Sequence, residues 1–85
     1  MTKKIVLTGH ARTRLRTRQL KVEWVEDTVH RPDWTALDPK DPNVERRFRA
    51  IETFGGRILR VVCVETESTI RVISALFDRN ARRQS

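Results

Sequence analysis

The sequence predicts an α+β domain: two short helices near the N-terminus, followed by an antiparallel β-meander of three to four strands. Three features carry that expectation. Apolar residues recur at helical spacing across residues 9–30, they alternate with polar ones across 45–77, and Gly55-Gly56 interrupts the alternation where a hairpin would turn. At 85 residues the chain has the length of one domain, spanning 1–85. A domain of this size buries only about 60–65% of the surface of its unfolded chain, so a partner subunit could add useful burial.

Lys4–Leu7 is a short apolar run that reads as an edge strand. Thr8 offers a hydroxyl to cap a helix from about Gly9 to Gln19. Within it Ala11 and Leu15 point to the core and Arg12 and Arg16 to solvent. His10, Arg14 and Arg18 form an i, i+4, i+8 stripe along one border of the apolar face. Three such groups repel one another unless something anionic faces them. A second helix, about Lys21 to His30, sets Val22, Val25 and Val29 on one face with Trp24 and Thr28 at its margin. Glu23, Glu26 and Asp27 take the other face. Arg31-Pro32 ends this helix, because proline pushes the preceding residue out of the α region. The link at Gln19-Leu20 is so short that the helices must form a tight corner.

Asp33–Leu37 reads as a short strand, and Asp38-Pro39-Lys40-Asp41-Pro42-Asn43 as a loop of turn formers. Three alternating segments follow: Glu45–Thr53, Arg57–Thr66 and Thr69–Phe77, with a weaker turn at Glu67-Ser68. In the first, Phe48 and Ala50 oppose Arg47, Arg49 and Ile51. In the second, Ile58, Arg60, Val62 and Val64 oppose Leu59, Val61 and Cys63. Strict alternation in the third sets Ile70, Val72, Ser74 and Leu76 against Arg71, Ile73, Ala75 and Phe77. One apolar sheet face is expected beneath the helices, with arginines distributed along the strands. The polar tail Asp78–Ser85 is expected to fray. Neither an internal repeat nor a low-complexity segment is present.

The formal net charge is +7, and 14 of the 18 basic residues are arginine, the side chain suited to bidentate phosphate contact. Its distribution is uneven. Residues 1–22 carry seven basic groups and no acid, residues 23–45 have a net charge of −5, and residues 46–64 return to +4. Such basic blocks attract a phosphate backbone, while a solvated charged face remains the simpler alternative. No apolar stretch reaches the length of a membrane span, and the start Met1-Thr2-Lys3-Lys4-Ile5 has no signal-peptide core. The expected compartment is the cytoplasm of a bacterium or archaeon.

Several chemistries lack their residues. The chain has no glycine-rich phosphate loop, and one cysteine with two histidines is too few for a dedicated zinc site, so no metal or cofactor is expected. Cys63 sits in an apolar run and reads as a small buried hydrophobe more than a reactive thiol. The remaining constellation is histidine, arginine and hydroxyl, which suits metal-free RNA cleavage by general acid–base and electrostatic catalysis. His10 is the better histidine, since a helix start and Arg14 both favour neutral imidazole. Its structural alternative is to cap the helix or pack on the sheet. His30 is better placed as a surface or helix-end partner. Arg14 and Arg18 could instead pair with Glu23, Glu26 or Asp27, Ser74 could satisfy a backbone group, and Trp24 and Trp34 could serve packing more than base stacking.

The string His10-Ala11-Arg12-Thr13-Arg14-Leu15-Arg16-Thr17-Arg18 resembles the H-A-x-x-R-x-x-x-R opening of a widespread prokaryotic domain family of unknown function. The rest resembles the BrnT type of toxin from type II toxin–antitoxin pairs. The likeness rests on Asp38-Pro39 through Pro42, Glu45-Arg46-Arg47-Phe48, Gly56-Arg57-Ile58-Leu59 and Ile70-Arg71-Val72-Ile73-Ser74-Ala75. The resemblance implies a RelE-like fold and an RNA-cutting toxin neutralised by a protein antitoxin encoded beside it. Arg47, Arg71 and Ser74 match the toxin pattern, and His10 and Arg14 the other opening. The expected function is therefore a metal-independent endoribonuclease of toxin type. Its expected catalytic set is His10, Arg14, Arg47, Arg71 and Ser74, with Arg18, Arg49 and Arg60 binding RNA and no membrane partner. A non-catalytic nucleic-acid-binding or protein-interaction module of the same fold is the alternative.

Overall fold

In the computed structural model, which describes residues 3–81, each capping and turn signal can be traced to a specific bond. The first strand, β1 (Lys4–Leu7), leads into Thr8, whose extended backbone lets its hydroxyl accept from Ala11 N at 3.1 Å. Helix α1 (Gly9–Thr17) starts there and ends two residues earlier than its periodicity suggests. Its end is a Schellman motif: Leu20 N donates to Leu15 O at 2.9 Å and Gln19 N to Arg16 O at 3.3 Å. Gln19 takes the left-handed position at φ +55°, where glycine is usual, and Leu20 folds back into the core. Helix α2 (Val22–His30) follows at once and stops before Pro32.

The remaining strands are β2 (Trp34–Leu37), β3 (Glu45–Ile51), β4 (Arg57–Glu65) and β5 (Thr69–Phe77). They and β1 form one five-stranded mixed sheet in the order β1-β5-β4-β3-β2. This corrects the expected meander of three to four antiparallel strands. The N-terminal run is the edge strand expected, but it joins the sheet parallel to the last strand, Ile5 opposite Ile70 and Leu7 opposite Val72. Four residues of alternation identify a strand but not its partner, so the parallel closure was illegible locally. A one-turn 3-10 helix (Glu52–Phe54) cuts β3 short, and Gly55 and Gly56, at φ +68° and +71°, complete the turn into β4.

Both helices pack on one face of the sheet. Ala11, Leu15, Val25 and Val29 close over Leu59, Val61, Cys63, Ile70, Val72 and Ala75 in a single buried cluster. Strict alternation fails in β5. Val62 pairs with Ser74 but Cys63 with Val72, so Ile73 is an extra residue in a β-bulge. The bulge shifts the phase, and Ala75 and Phe77 join Ile70 and Val72 on the helix side. Ser74 and Leu76 move to the other face with Arg71, where Trp34 stacks flat on its cross-strand partner Phe48 at 4.8 Å. Among the described residues no helix packs on that second face. Among the described residues no helix is long and apolar enough to cross a membrane. The expected fraying of the tail beyond Ala81 lies outside the described residues.

Candidate nucleic-acid interface

The carboxylates decide which cations are available to a ligand. Arg46 pairs with Asp38 at 3.4 Å, Arg49 with Asp33 at 3.8 Å, Arg60 with Asp78 at 3.1 Å and Arg31 with Asp27 at 3.3 Å. Lys3 pairs with Glu65 at 2.7 Å. Arg46, Arg49 and Arg60 of the sheet are thus held by acids of the neighbouring loops and strand ends, whereas Arg57 and Arg71 have no such pair among the described residues. Arg12, Arg14, Arg16 and Arg18 of α1 have no carboxylate partner among the described residues. Pairing of Arg14 or Arg18 with the α2 acids, the structural alternative open at the sequence level, is not made. Uncompensated positive charge therefore gathers on α1.

Two hydrogen bonds fix the stripe along that helix. Arg14 Nε donates to His10 Nε2 at 3.2 Å, one turn away. Arg18 Nη1 donates to Ala75 O at 2.8 Å. Because β1 pairs with β5 only as far as Val72, the second half of β5 has no strand on that side among the described residues, and Arg18 fastens the stripe beside it. His10 is exposed and Thr8 does the capping, so neither structural role foreseen for this histidine is filled. To accept from Arg14, Nε2 must be unprotonated, with the proton of a neutral ring on Nδ1.

The other expected site residues divide between two places. Arg71, exposed, and Ser74, half-buried, lie on the open sheet face, with Arg60 beside them tied to Asp78. No hydrogen bond joins Arg71 or Ser74 to His10 or Arg14 among the described residues. Arg47 lies on the helix side of β3 at 9% exposure. It donates to Val29 O at 2.8 Å, closing the C-terminal end of α2, and pairs with both Glu45 and Glu65. Burial opposes its charge, but the bonds to Glu45 and Glu65 outweigh that and raise its pKa. These three partners tie it to α2, β3 and β4, and no hydrogen bond among the described residues joins it to the other members of the expected catalytic set. Arg49 likewise donates to Arg31 O at 2.7 Å. Cys63 is fully buried, and burial pushes its thiol up to about 11, far from a reactive thiolate. No three His, Cys, Asp or Glu side chains among the described residues converge as metal ligands would.

Sequence reasoning gave no role to Arg57, Phe54 or Phe77, which the fold brings to the end of the stripe. A cleft of about 510 Å³ opens there, walled by Arg18, Gln19 and Leu20 at the end of α1, by Phe54 and Arg57, and by Leu76 and Phe77 of β5. The sequence signal was present in the Phe54-Gly-Gly-Arg57 turn, but only the bulge in β5 turns Phe77 toward it.

No curated protein and no solved structure matches this chain. Residues 7–77, which include both helices, the cleft and all of β2 to β5, match the model of one family, described as Domain of unknown function (DUF4258). The chain belongs to that family.

Proposed function

We propose that this domain binds single-stranded RNA along the exposed flank of α1 and cuts it as a metal-independent endoribonuclease of toxin type, on a RelE-like scaffold. The observation that carries the reading is the stripe itself: His10, Arg14 and Arg18 in register, without carboxylate partners, the imidazole acceptor held by an arginine. The resemblance of the β3, β4 and β5 strings to BrnT toxins supports the same class.

The chemistry runs as follows. A phosphate entering the stripe draws the Arg14 guanidinium to itself and uncovers His10 Nε2. That nitrogen takes the proton of the adjacent 2′-hydroxyl, the 2′-oxygen bonds to phosphorus, and the bond to the 5′-oxygen breaks. The leaving oxygen takes a proton from water. Arg14 and Arg18 stabilise the charge of the pentacoordinate phosphorane. The products are a 2′,3′-cyclic phosphate and a 5′-hydroxyl. Arg71 and Ser74 would meet the strand on the open sheet face, whereas Arg47 holds α2 and is left out. A cytoplasmic protein antitoxin would silence such an enzyme by covering the α1 flank.

Purified protein in excess EDTA should release 2′,3′-cyclic ends from a single-stranded RNA. His10→Ala and Arg14→Ala should each slow cleavage by about 10²-fold or more with little change in stability, since both side chains lie outside the core. Wild-type protein that binds RNA but leaves it intact would reduce the function to a non-catalytic binding module.

A further inference from the structure

The cleft at the end of α1 differs in chemistry from the stripe that leads to it. Its floor is aromatic. Phe54 is 41% exposed, yet its ring centroid lies 5.2 Å from those of both Trp24 and Phe77. The Arg57 guanidinium covers the pair, 5.1 Å from the Phe54 centroid and 4.6 Å from that of Phe77. Arg18, anchored on Ala75 O, forms the opposite rim. No acid lines the cleft, and neither Arg18 nor Arg57 has a carboxylate partner among the described residues. At about 510 Å³ it falls within the size range of small-ligand pockets.

These features narrow the ligand. A simple anion gains nothing from an exposed Phe54 ring backed by a half-buried Phe77, and an apolar side chain would leave two cations uncompensated. A planar ring carrying a phosphate satisfies both halves. The geometry points to a nucleotide subsite: one unstacked base lies on the Phe54–Arg57 shelf, and its phosphate sits on Arg18. This rests on reading the α1 stripe as the RNA track, of which Arg18 is the last member. From His10 to Arg18 the helix rises about 12 Å, so a strand following the stripe delivers its next base to the cleft. Base selection, which arginines along a backbone cannot give, would then occur here.

Backbone and indole resonances titrated with AMP and with ribose 5-phosphate separate the two halves. AMP should shift Phe54, Gly55, Gly56, Arg57 and the Trp24 indole, while ribose 5-phosphate should shift the surroundings of Arg18 alone and bind about 10-fold more weakly. Phe54→Leu keeps the apolar filling against Trp24 and Phe77, and Arg57→Gln keeps the turn. Each should weaken AMP and a pentanucleotide RNA by about 10-fold, whereas Arg14→Ala should weaken the RNA and leave AMP unchanged. Equal binding of the two small ligands, or AMP shifts away from Phe54, overturns the subsite. RNA binding that ignores Phe54→Leu and Arg57→Gln but falls with Arg14→Ala removes the subsite and keeps the α1 track. AMP shifts at Phe54 with no RNA binding keep the subsite and remove the track.

Discussion

Arg47 and His10 stood together as site residues in the sequence, and their surroundings now separate them. His10 is exposed, with Arg14 bonded to its ring. Arg47 is buried among Val29 O, Glu45 and Glu65. Arg47→Ala would leave Glu45 and a helix-end carbonyl without their donor, and Glu65 with Lys3 alone. Its cost should fall at the lower end of about 3–5 kcal/mol, because Glu65 is itself 41% exposed. Chemical denaturation measures it, and a variant of wild-type stability that had lost activity would return Arg47 to the site. The same network sets an acid limit. Bonds from Lys3 and Arg47 hold the Glu65 carboxyl below its ordinary value of 4.5. Its folded value is therefore lower than its unfolded one, so its contribution is complete above that pH and disappears as pH falls through the folded value. Stability should drop on acidification below pH 4.5, and Glu65→Gln should flatten the drop by at most about 1 kcal/mol, given its exposure.

Two local geometries among the elements set the site. At the end of α1, Gln19 holds φ +55° so that Leu20 can return to the core and Arg18 can reach β5. A side chain there is strained and glycine is not. Gln19→Gly should raise the unfolding free energy by about 0.5–1 kcal/mol, read from the denaturation midpoint at unchanged slope. A loss of stability would mean that the Gln19 side chain makes a contact worth more than the strain. In β5, the extra residue Ile73 places Phe77 under Arg57 and Ser74 on the open face. Pattern reading could not find it, since an alternating apolar run looks the same with or without one unpaired residue.

For the whole molecule, the net charge of +7 matters less than where it lacks counter-charge. Among the described residues Arg46, Arg47, Arg49 and Arg60 of the sheet carry their own acids, and the arginines of α1 do not. If Arg14 and Arg18 of the stripe each neutralise one phosphate, log affinity for a single strand should fall against log salt with a slope of about −1.4. Arg14→Ala should flatten that slope by about 0.7, and Arg60→Ala, already paired with Asp78, should leave it unchanged. Binding insensitive to salt would assign the flank to a protein partner instead.

Local chemistry was sufficient for much of this. Thr8 as a cap, Pro32 as a stop, the two glycines as a turn, and the division of β3 and β4 into two faces all follow from bonds and spacings within a few residues, so they were legible in the chain. The stripe of His10, Arg14 and Arg18 was legible for the same reason: helix geometry alone aligns every fourth side chain. Three matters were decided only by tertiary structure. The partner of β1 depended on which distant edge was open, the bulge in β5 on registry with β4, and the fate of each arginine on which acid the fold brought near it. Pairing across a sheet and between charges depends on residues far apart in sequence, and no local pattern encodes that distance.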